Sequence, residues 1–504
     1  PAAAADCPGL AKLNLPGTTI GYAEDIKAGL FQPPAGRGLK DMPAFCRVAG
    51  VMQPSKDSNI LFEVWMPAQG WNGKFQGIGN GGFAGAISYD GLADAVRHGY
   101  AAASTDTGHQ GSGTDARWAV GRPEKIVDFG HRAIHETAVK GKAITEAYYG
   151  SKPKKSYFNS CSNGGRQALM EAQRYPEDYD GIIAGAPANH WTHLLALGAS
   201  GMQATAGSAA GYIPQSKLPA IQAAALASCD RLDGVEDGVV ENPAVCRFDP
   251  EGLLCRGAET DQCLTRPQIQ ALKTLYGGLR DSKGKQLYPG YAMSGEAEQG
   301  GWGQWITGPA PEKSLLYAFA TGFYKDMVFG DPAWDYRKFS LEKDFKAGAK
   351  MAPILDAVSP DLSRFKARGG KLILYHGWCD AAIPAQAAID YYQSVVKRMG
   401  SQSASEFVRL FMVPGMQHCG GGAGPNDFGQ GGVAQGDARS NISAALERWV
   451  EQGVAPEQII ATKQAAAPGG GARTRPLCAY PKVARYKGAG STDDAANFAC
   501  AVPE

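Results

Sequence analysis

Strand-length apolar runs alternate with helix-period segments over the first part of this 504-residue chain, and that alternation predicts an α/β fold with a parallel sheet. Ile60 to Met66 reads as a strand ended by Pro67, Phe75 to Ile78 as a second and Tyr100 to Thr105 as a third. Ile134, Ala138, Gly141, Ile144 and Tyr148 recur near one face, which predicts a helix from about Gly130 to Tyr149. A strand around Tyr157 and Phe158 follows, then a helix from Gln167 to Arg174, then a strand from Gly181 to Ala184. From about Pro187 the pattern breaks; it resumes with strands at Lys371 to Tyr375 and Val408 to Val413. The expected division is a core in two parts, residues 1–187 and 361–504 with a tail, around an insertion at 188–360. The insertion carries aromatic segments, Trp302 to Trp305 and Leu315 to Tyr324, as a lid would, and those rings can equally form its own core.

The strand at Tyr157 and the helix at Gln167 are joined by Ser160-Cys161-Ser162-Asn163-Gly164-Gly165. Strand, small-residue turn and helix is the setting in which G-x-S-x-G forms a nucleophile elbow, here with Ser160 in place of the first glycine. Such a turn lifts the Ser162 hydroxyl clear of the sheet and aims the Asn163 N–H at the same space. The early turn Gly79-Asn80-Gly81-Gly82-Phe83 lacks the Gly-Lys-Ser/Thr ending of a phosphate loop. In a serine-elbow hydrolase this turn supplies the second oxyanion donor, from Gly81 or Gly82; otherwise it is a plain loop.

Asp380 stands just past the strand at Lys371, in His376-Gly377-Trp378-Cys379-Asp380, and His418 just past the strand at Val408. Ser, Asp and His in that order, each after a strand, is the chain order of α/β-hydrolases. His418 would take the Ser162 proton and Asp380 would hold the imidazole tautomer. His376 is a rival base, but it is too close in sequence to Asp380 to be its separately delivered partner. Cys161 precedes the nucleophile and Cys419 follows the base. A disulfide holds its Cα atoms within ~4.4–6.8 Å, so a bond between these two would draw Ser162 and His418 together.

The net charge of +1 gives no electrostatic case for nucleic acid or an anionic membrane, and no apolar run approaches the roughly 18 residues that span a bilayer. Eleven cysteines, several at local spacings (Cys229 and Cys246, Cys255 and Cys263, Cys478 and Cys500), favour disulfides over a zinc site, there being no C-x2-C pair. That usage and the small, unpatterned start Pro1 to Asp6, such as a cleaved signal segment leaves, give the expectation of a secreted or periplasmic protein. His131 and His135 lie four apart without an H-E-x-x-H pattern and are read as structural. Asp230, Asp233 and Asp237, with turn glycines and the carbonyls of Val235 and Val239, suit Ca²⁺ or a solvated acidic turn equally by composition.

Taken together, these motifs resemble the tannase and feruloyl esterase family, which includes fungal-type feruloyl esterases, tannases and mono(2-hydroxyethyl) terephthalate hydrolase. The resemblance runs from about Cys7 to Cys500 and rests on Gly79-Asn80-Gly81-Gly82, Cys161-Ser162-Asn163-Gly164-Gly165-Arg166, Gly377-x-x-Asp380, His418-Cys419 and the tail Ser491 to Phe498. It implies an α/β-hydrolase core, a lid inserted between the serine and acid parts, and a structural Ca²⁺ on Asp230, Asp233, Val235, Asp237 and Val239. It also implies the pairs Cys7–Cys46, Cys161–Cys419, Cys229–Cys246, Cys255–Cys263 and Cys478–Cys500, with Cys379 the odd thiol. The implied activity is hydrolysis of small esters of aromatic acids, feruloyl esters first, gallate and terephthalate or phthalate monoesters after them. No organic cofactor is expected. A non-catalytic binding protein on the same fold is the rival from another class.

Overall fold

The structure is a computed structural model that describes residues 5–464 and 471–503. Residues 1–4 of the small-residue start and 468–470 of the glycine-rich stretch at 468–471 lie outside the described residues. The chain falls into two compact units: Pro1–Gly185 with Ala357–Leu372 and Gly429–Ala455, and Ala186–Asp356 with Ile373–Phe428 and Pro456–Glu504. Nine strands carry the description: β1 (Thr18–Ile26), β2 (Phe45–Met52), β3 (Ile60–Pro67), β4 (Lys74–Ile78), β5 (Ala101–Thr105), β6 (Lys155–Cys161), β7 (Gly181–Gly185), β8 (Lys371–Gly377) and β9 (Val408–Val413). Among the helices, α1 (Tyr89–Arg97), α2 (Ala133–Tyr149), α3 (Asn163–Arg174) and α4 (Trp191–Thr205) bear on the site.

In the first unit, β1 to β7 bond in the order β1-β2-β3-β5-β4-β6-β7. The α/β class stands, but the sheet is mixed rather than parallel. β5, β4, β6 and β7 run parallel, whereas β1, β2, β3 and β5 pair antiparallel. The reason lies in the connection from β2 to β3, residues 53–59, which is too short for the crossover that a parallel neighbour needs. β4 and β5 bury nearly every side chain (Phe75, Ala101, Ala102, Ala103), as strands covered on both faces must. Gly141 lets α2 settle onto this sheet: a methyl group there would stand 2.8 Å from the Phe75 ring.

In the second unit, α4 packs on the helix Leu315–Thr321 through Gly198, whose added methyl would meet Leu316 at 3.0 Å. Eight of the 17 Phe, Trp and Tyr side chains of the 186–356 segment are buried, and the other nine are half-buried. Tyr324 stacks on Trp334 with ring centroids 5.2 Å apart, and Phe323, Phe339 and Trp302 are buried. Trp305 and Phe319 are only half-buried. The loops after β8 and β9 are bound to each other, Trp378 N–H to Val413 O at 2.9 Å and Cys379 N–H to Met416 O at 3.0 Å. Disulfides join Cys7 to Cys46 in the first unit, and Cys229 to Cys246, Cys255 to Cys263 and Cys478 to Cys500 in the second.

Candidate active site

In the first unit the turn between β6 and α3 has the geometry of a nucleophile elbow. Ser162 has φ 67° and ψ −126°, a region that costs any residue with a Cβ, and its side chain is half-buried rather than packed away. α3 starts at Asn163, four residues before the expected Gln167, because two glycines allow it to begin against the sheet. An added methyl on Gly164 would collide with Ser160 Oγ and stand 3.2 Å from Asn80 O. The elbow therefore abuts the early glycine turn. Asn80 N–H donates to Gln167 Oε1 at 3.0 Å, and Asn80 Nδ2 donates to Thr105 O at 2.8 Å.

The Gly79–Phe83 turn is braced from its far end. His109 Nε2 lies 2.7 Å from Phe83 O; the carbonyl can only accept, so Nε2 carries the proton. Burial, ahead of the other influences, pushes His109 down to about 4, so it donates as a neutral imidazole. Phe83 N–H goes to Gly113 O at 2.7 Å, and Gly82 takes φ 56°. Below the elbow, Arg166 is fully buried, donating to Asn163 Oδ1 at 2.8 Å and to the carbonyls of Gly130 and Phe129 at 2.8 and 3.0 Å.

In the second unit Asp380 and His418 are brought together. His418 Nδ1 lies 2.8 Å from Asp380 Oδ2, which fixes the proton on Nδ1 and the basic lone pair on Nε2. Asp380 is 2 % exposed and fully coordinated: Oδ1 accepts the N–H groups of Ala382 and Ile383 at 2.8 and 2.9 Å, and Oδ2 also faces His376 Nε2 at 3.1 Å. Burial pushes this carboxyl up, but the attraction of His418 and the hydrogen bonds from both histidines outweigh it and hold it well below the usual range. A charge-assisted set of this kind keeps the acid ionised and the imidazole oriented.

Two members of this cluster had no sequence signal for their role. His376, expected as a rival base, is fully buried and shares the acid instead. Trp305, from the 186–356 segment, stands edge-on to the His418 ring with centroids 4.9 Å apart. Nothing in its local pattern pointed there. Cys379 is the free thiol, buried beside Ser294 Oγ at 3.7 Å; burial pushes it up to about 12, so it is inert as a nucleophile. Cys161 and Cys419 are both in disulfides.

The acidic loop at 230–239 folds back on itself through left-handed Gly234 and Gly238 (φ 89° and 78°). Asp230 accepts Gly238 N–H at 2.9 Å, Asp233 accepts Val235 N–H at 3.0 Å, and Asp237 pairs with Arg475. Burial pushes Asp233 up to about 6 and raises Asp237 as well. The carboxylates of Asp230 and Asp233 with the loop carbonyls form an oxygen donor set of the kind that fits Ca²⁺, while Asp237 is also paired with Arg475 and Arg473.

His131 and His135 bond Tyr175 OH at 2.7 Å and Asp178 Oδ2 at 2.6 Å, respectively. Among the described residues no helix is long and apolar enough to cross a membrane.

The sequence model of a family described as tannase and feruloyl esterase matches residues 46–501. The chain belongs to that family. It is 46% identical to an uncharacterized esterase of Xanthomonas campestris pv. campestris, covering 99% of this chain and 91% of the relative. The crystal structure of feruloyl esterase B from Aspergillus oryzae superposes with a TM-score of 0.91 at 30% identity, covering 98% of this chain and 99% of that one. Tannin acyl hydrolase from Aspergillus niger does so with a TM-score of 0.76 at 25% identity, covering 97% and 92%. The chain is thus a carboxylic ester hydrolase of feruloyl esterase and tannase type with an α/β-hydrolase fold, and its substrate is a small-molecule ester. A purely non-catalytic role falls away.

Proposed function

We propose that the chain hydrolyses esters of aromatic acids, feruloyl esters foremost, through an acyl-enzyme on Ser162. The observation that carries this reading is the His418–Asp380 pair, which leaves the basic lone pair on Nε2 of an imidazole held by a buried, ionised acid. In the proposed reaction His418 Nε2 takes the Ser162 proton as Oγ attacks the ester carbonyl. The oxyanion rests on the Asn163 N–H and an N–H of Gly81 or Gly82. His418 then protonates the departing alcohol, and water releases the acid by the same route in reverse.

Ser162 and His418 reach each other, on this proposal, because Cys161 bonds Cys419. The 186–356 segment acts as a lid whose Trp305 walls the base, and Asp230, Asp233, Asp237 and the carbonyls of Val235 and Val239 hold a structural Ca²⁺. An aromatic acyl group suits a site where an indole stands beside the imidazole. The feruloyl reading is preferred to the gallate one because the likeness to feruloyl esterase B is higher than that to tannin acyl hydrolase. Ten cysteines in disulfides support an oxidising compartment, secreted or periplasmic.

The test is turnover of methyl ferulate, methyl gallate and mono(2-hydroxyethyl) terephthalate by wild type and Ser162→Ala. Highest kcat/KM on methyl ferulate, abolished by the substitution, is expected. Undiminished turnover by Ser162→Ala would overturn the mechanism, and preference for another ester would reassign the substrate.

A further inference from the structure

Outside the site, two side-chain trios among the described residues bring possible ligand atoms within 4.8 Å of one another: His135, Glu171 and Asp178, and His190, His193 and Asp356. They differ in what they need. In the first trio His135 Nδ1 lies 2.6 Å from Asp178 Oδ2, a direct hydrogen bond too short for two ligands of one ion, and Lys142 already supplies a positive charge 3.5 Å from the same carboxylate. A proton on the buried Glu171 completes that group without a metal; burial and the neighbouring Asp178 both raise Glu171.

The second trio is different. Asp356 is held in place across 164 residues by Thr192, whose N–H and Oγ1–H donate to Oδ1 and Oδ2 at 2.9 and 2.8 Å, setting a carboxylate at the N-terminus of α4. His190 Nε2 is 3.7 Å from Asp356 Oδ2, too long for a hydrogen bond. It is close to the roughly 3.3–3.6 Å that separates two ligand atoms on a tetrahedral ion with bonds of about 2.0–2.2 Å. The His193 ring lies with its centroid 3.6 Å from that of His190, and Thr192 Oγ1 is 3.2 Å from His193 Nδ1. One threonine therefore steers two of the three candidate ligands, as groups behind a metal centre do. Phe345 stands edge-on to His193 at 4.9 Å and Tyr288 edge-on to His190 at 5.8 Å, so the rings are framed by aromatics.

We propose that His190, His193 and Asp356 bind one divalent transition-metal ion of the Zn²⁺ class, clamping the start of the 186–356 segment to its end. Two imidazole nitrogens and one carboxylate oxygen form a borderline donor set that favours Zn²⁺, Co²⁺ or Ni²⁺ over Ca²⁺, distinct from the all-oxygen loop at 230–239. The His190 side chain is 30 % exposed, so an ion can enter and keep a water ligand. Nothing in this inference depends on the esterase reading.

The tag-free full-length chain, stripped with EDTA and restored with excess Ca²⁺, is dialysed against Zn²⁺ and titrated with Co²⁺ under visible absorption. One equivalent of Zn²⁺ is expected to remain, with Co²⁺ giving ligand-field bands and Zn²⁺ raising the Tm. His190→Ala and His193→Ala should each weaken binding by more than the roughly 100-fold that losing a partner behind a ligand can cost, and lose those bands. Their metal-free Tm should stay at the wild-type value. These two variants decide the matter even if Asp356→Asn fails to fold through loss of its bonds to Thr192. Failure of the wild type to retain Zn²⁺, unchanged binding in both histidine variants, or loss of binding in His135→Ala instead would overturn the proposal.

Discussion

His376 and Asp380 are joined side chain to side chain within one strand and its loop, Nε2 to Oδ2 at 3.1 Å, with both side chains fully buried. The strand end thus carries a second imidazole that donates to the carboxylate on which His418 depends. His376 is a positioning residue in this arrangement. Its replacement by alanine removes one charge-assisted bond and leaves Asp380 still tied by two backbone N–H groups. His376→Ala is expected to lower kcat about 10-fold with KM nearly unchanged and to cost ~1–3 kcal/mol of stability. Asp380→Asn should lower kcat on the order of 10⁴-fold, because an amide favours the wrong tautomer of His418. Equal losses in the two variants, read from steady-state kinetics and urea unfolding, would mean that His376 does more than orient.

Ser162 holds a backbone conformation that suits glycine (φ 67°, ψ −126°). Relief of that strain is worth about 1–3 kcal/mol, against ~0.5–1 kcal/mol for the greater chain entropy of glycine in the unfolded state. The balance favours the variant. Ser162→Gly should therefore abolish ester turnover while raising the midpoint of thermal unfolding. A lower midpoint would show that the hydroxyl itself supports the fold.

How much of this was legible in the sequence follows from how local each signal is. The β6–Ser162–α3 turn and the placement of Asp380 and His418 after β8 and β9 could be read because strand, small-residue turn and helix are adjacent in the chain. The direction of β3 could not, since apolar alternation is the same in either orientation; only the short 53–59 connection carries it. The early start of α3 depends on Ser160 and Asn80 packing against Gly164. The approach of Trp305 to His418 joins distant parts of the chain, and one tryptophan among several in an aromatic-rich insertion carries no mark of which ring will face the imidazole.

For the 230–239 loop, the desolvated Asp233 and Asp237 are expected to gain from Ca²⁺. Chelation with EGTA should lower the thermal midpoint, and readdition of Ca²⁺ at about a hundredfold excess over its Kd should restore ~2.7 kcal/mol. Asp233→Ala should remove this dependence while leaving any Zn²⁺ effect in place. A wild-type midpoint indifferent to EGTA would remove calcium from the loop.

His109 links stability to pH through the brace on the Gly79–Phe83 turn. Its native value is about 4, lowered first by burial, against roughly 6.5 in the unfolded chain. The unfolded state therefore binds the proton first as pH falls. The stability tied to this residue is fully present above about 6.5, declines as pH drops from there, and is gone near 4, a change of about 3 kcal/mol. Glutamine at this position can keep a donor for the Phe83 carbonyl but does not titrate. His109→Gln is thus expected to flatten the slope of unfolding free energy between pH 6.5 and 4, as measured by urea unfolding across that range. An unchanged slope would place the acid sensitivity on other buried histidines and free the brace from any titrating role.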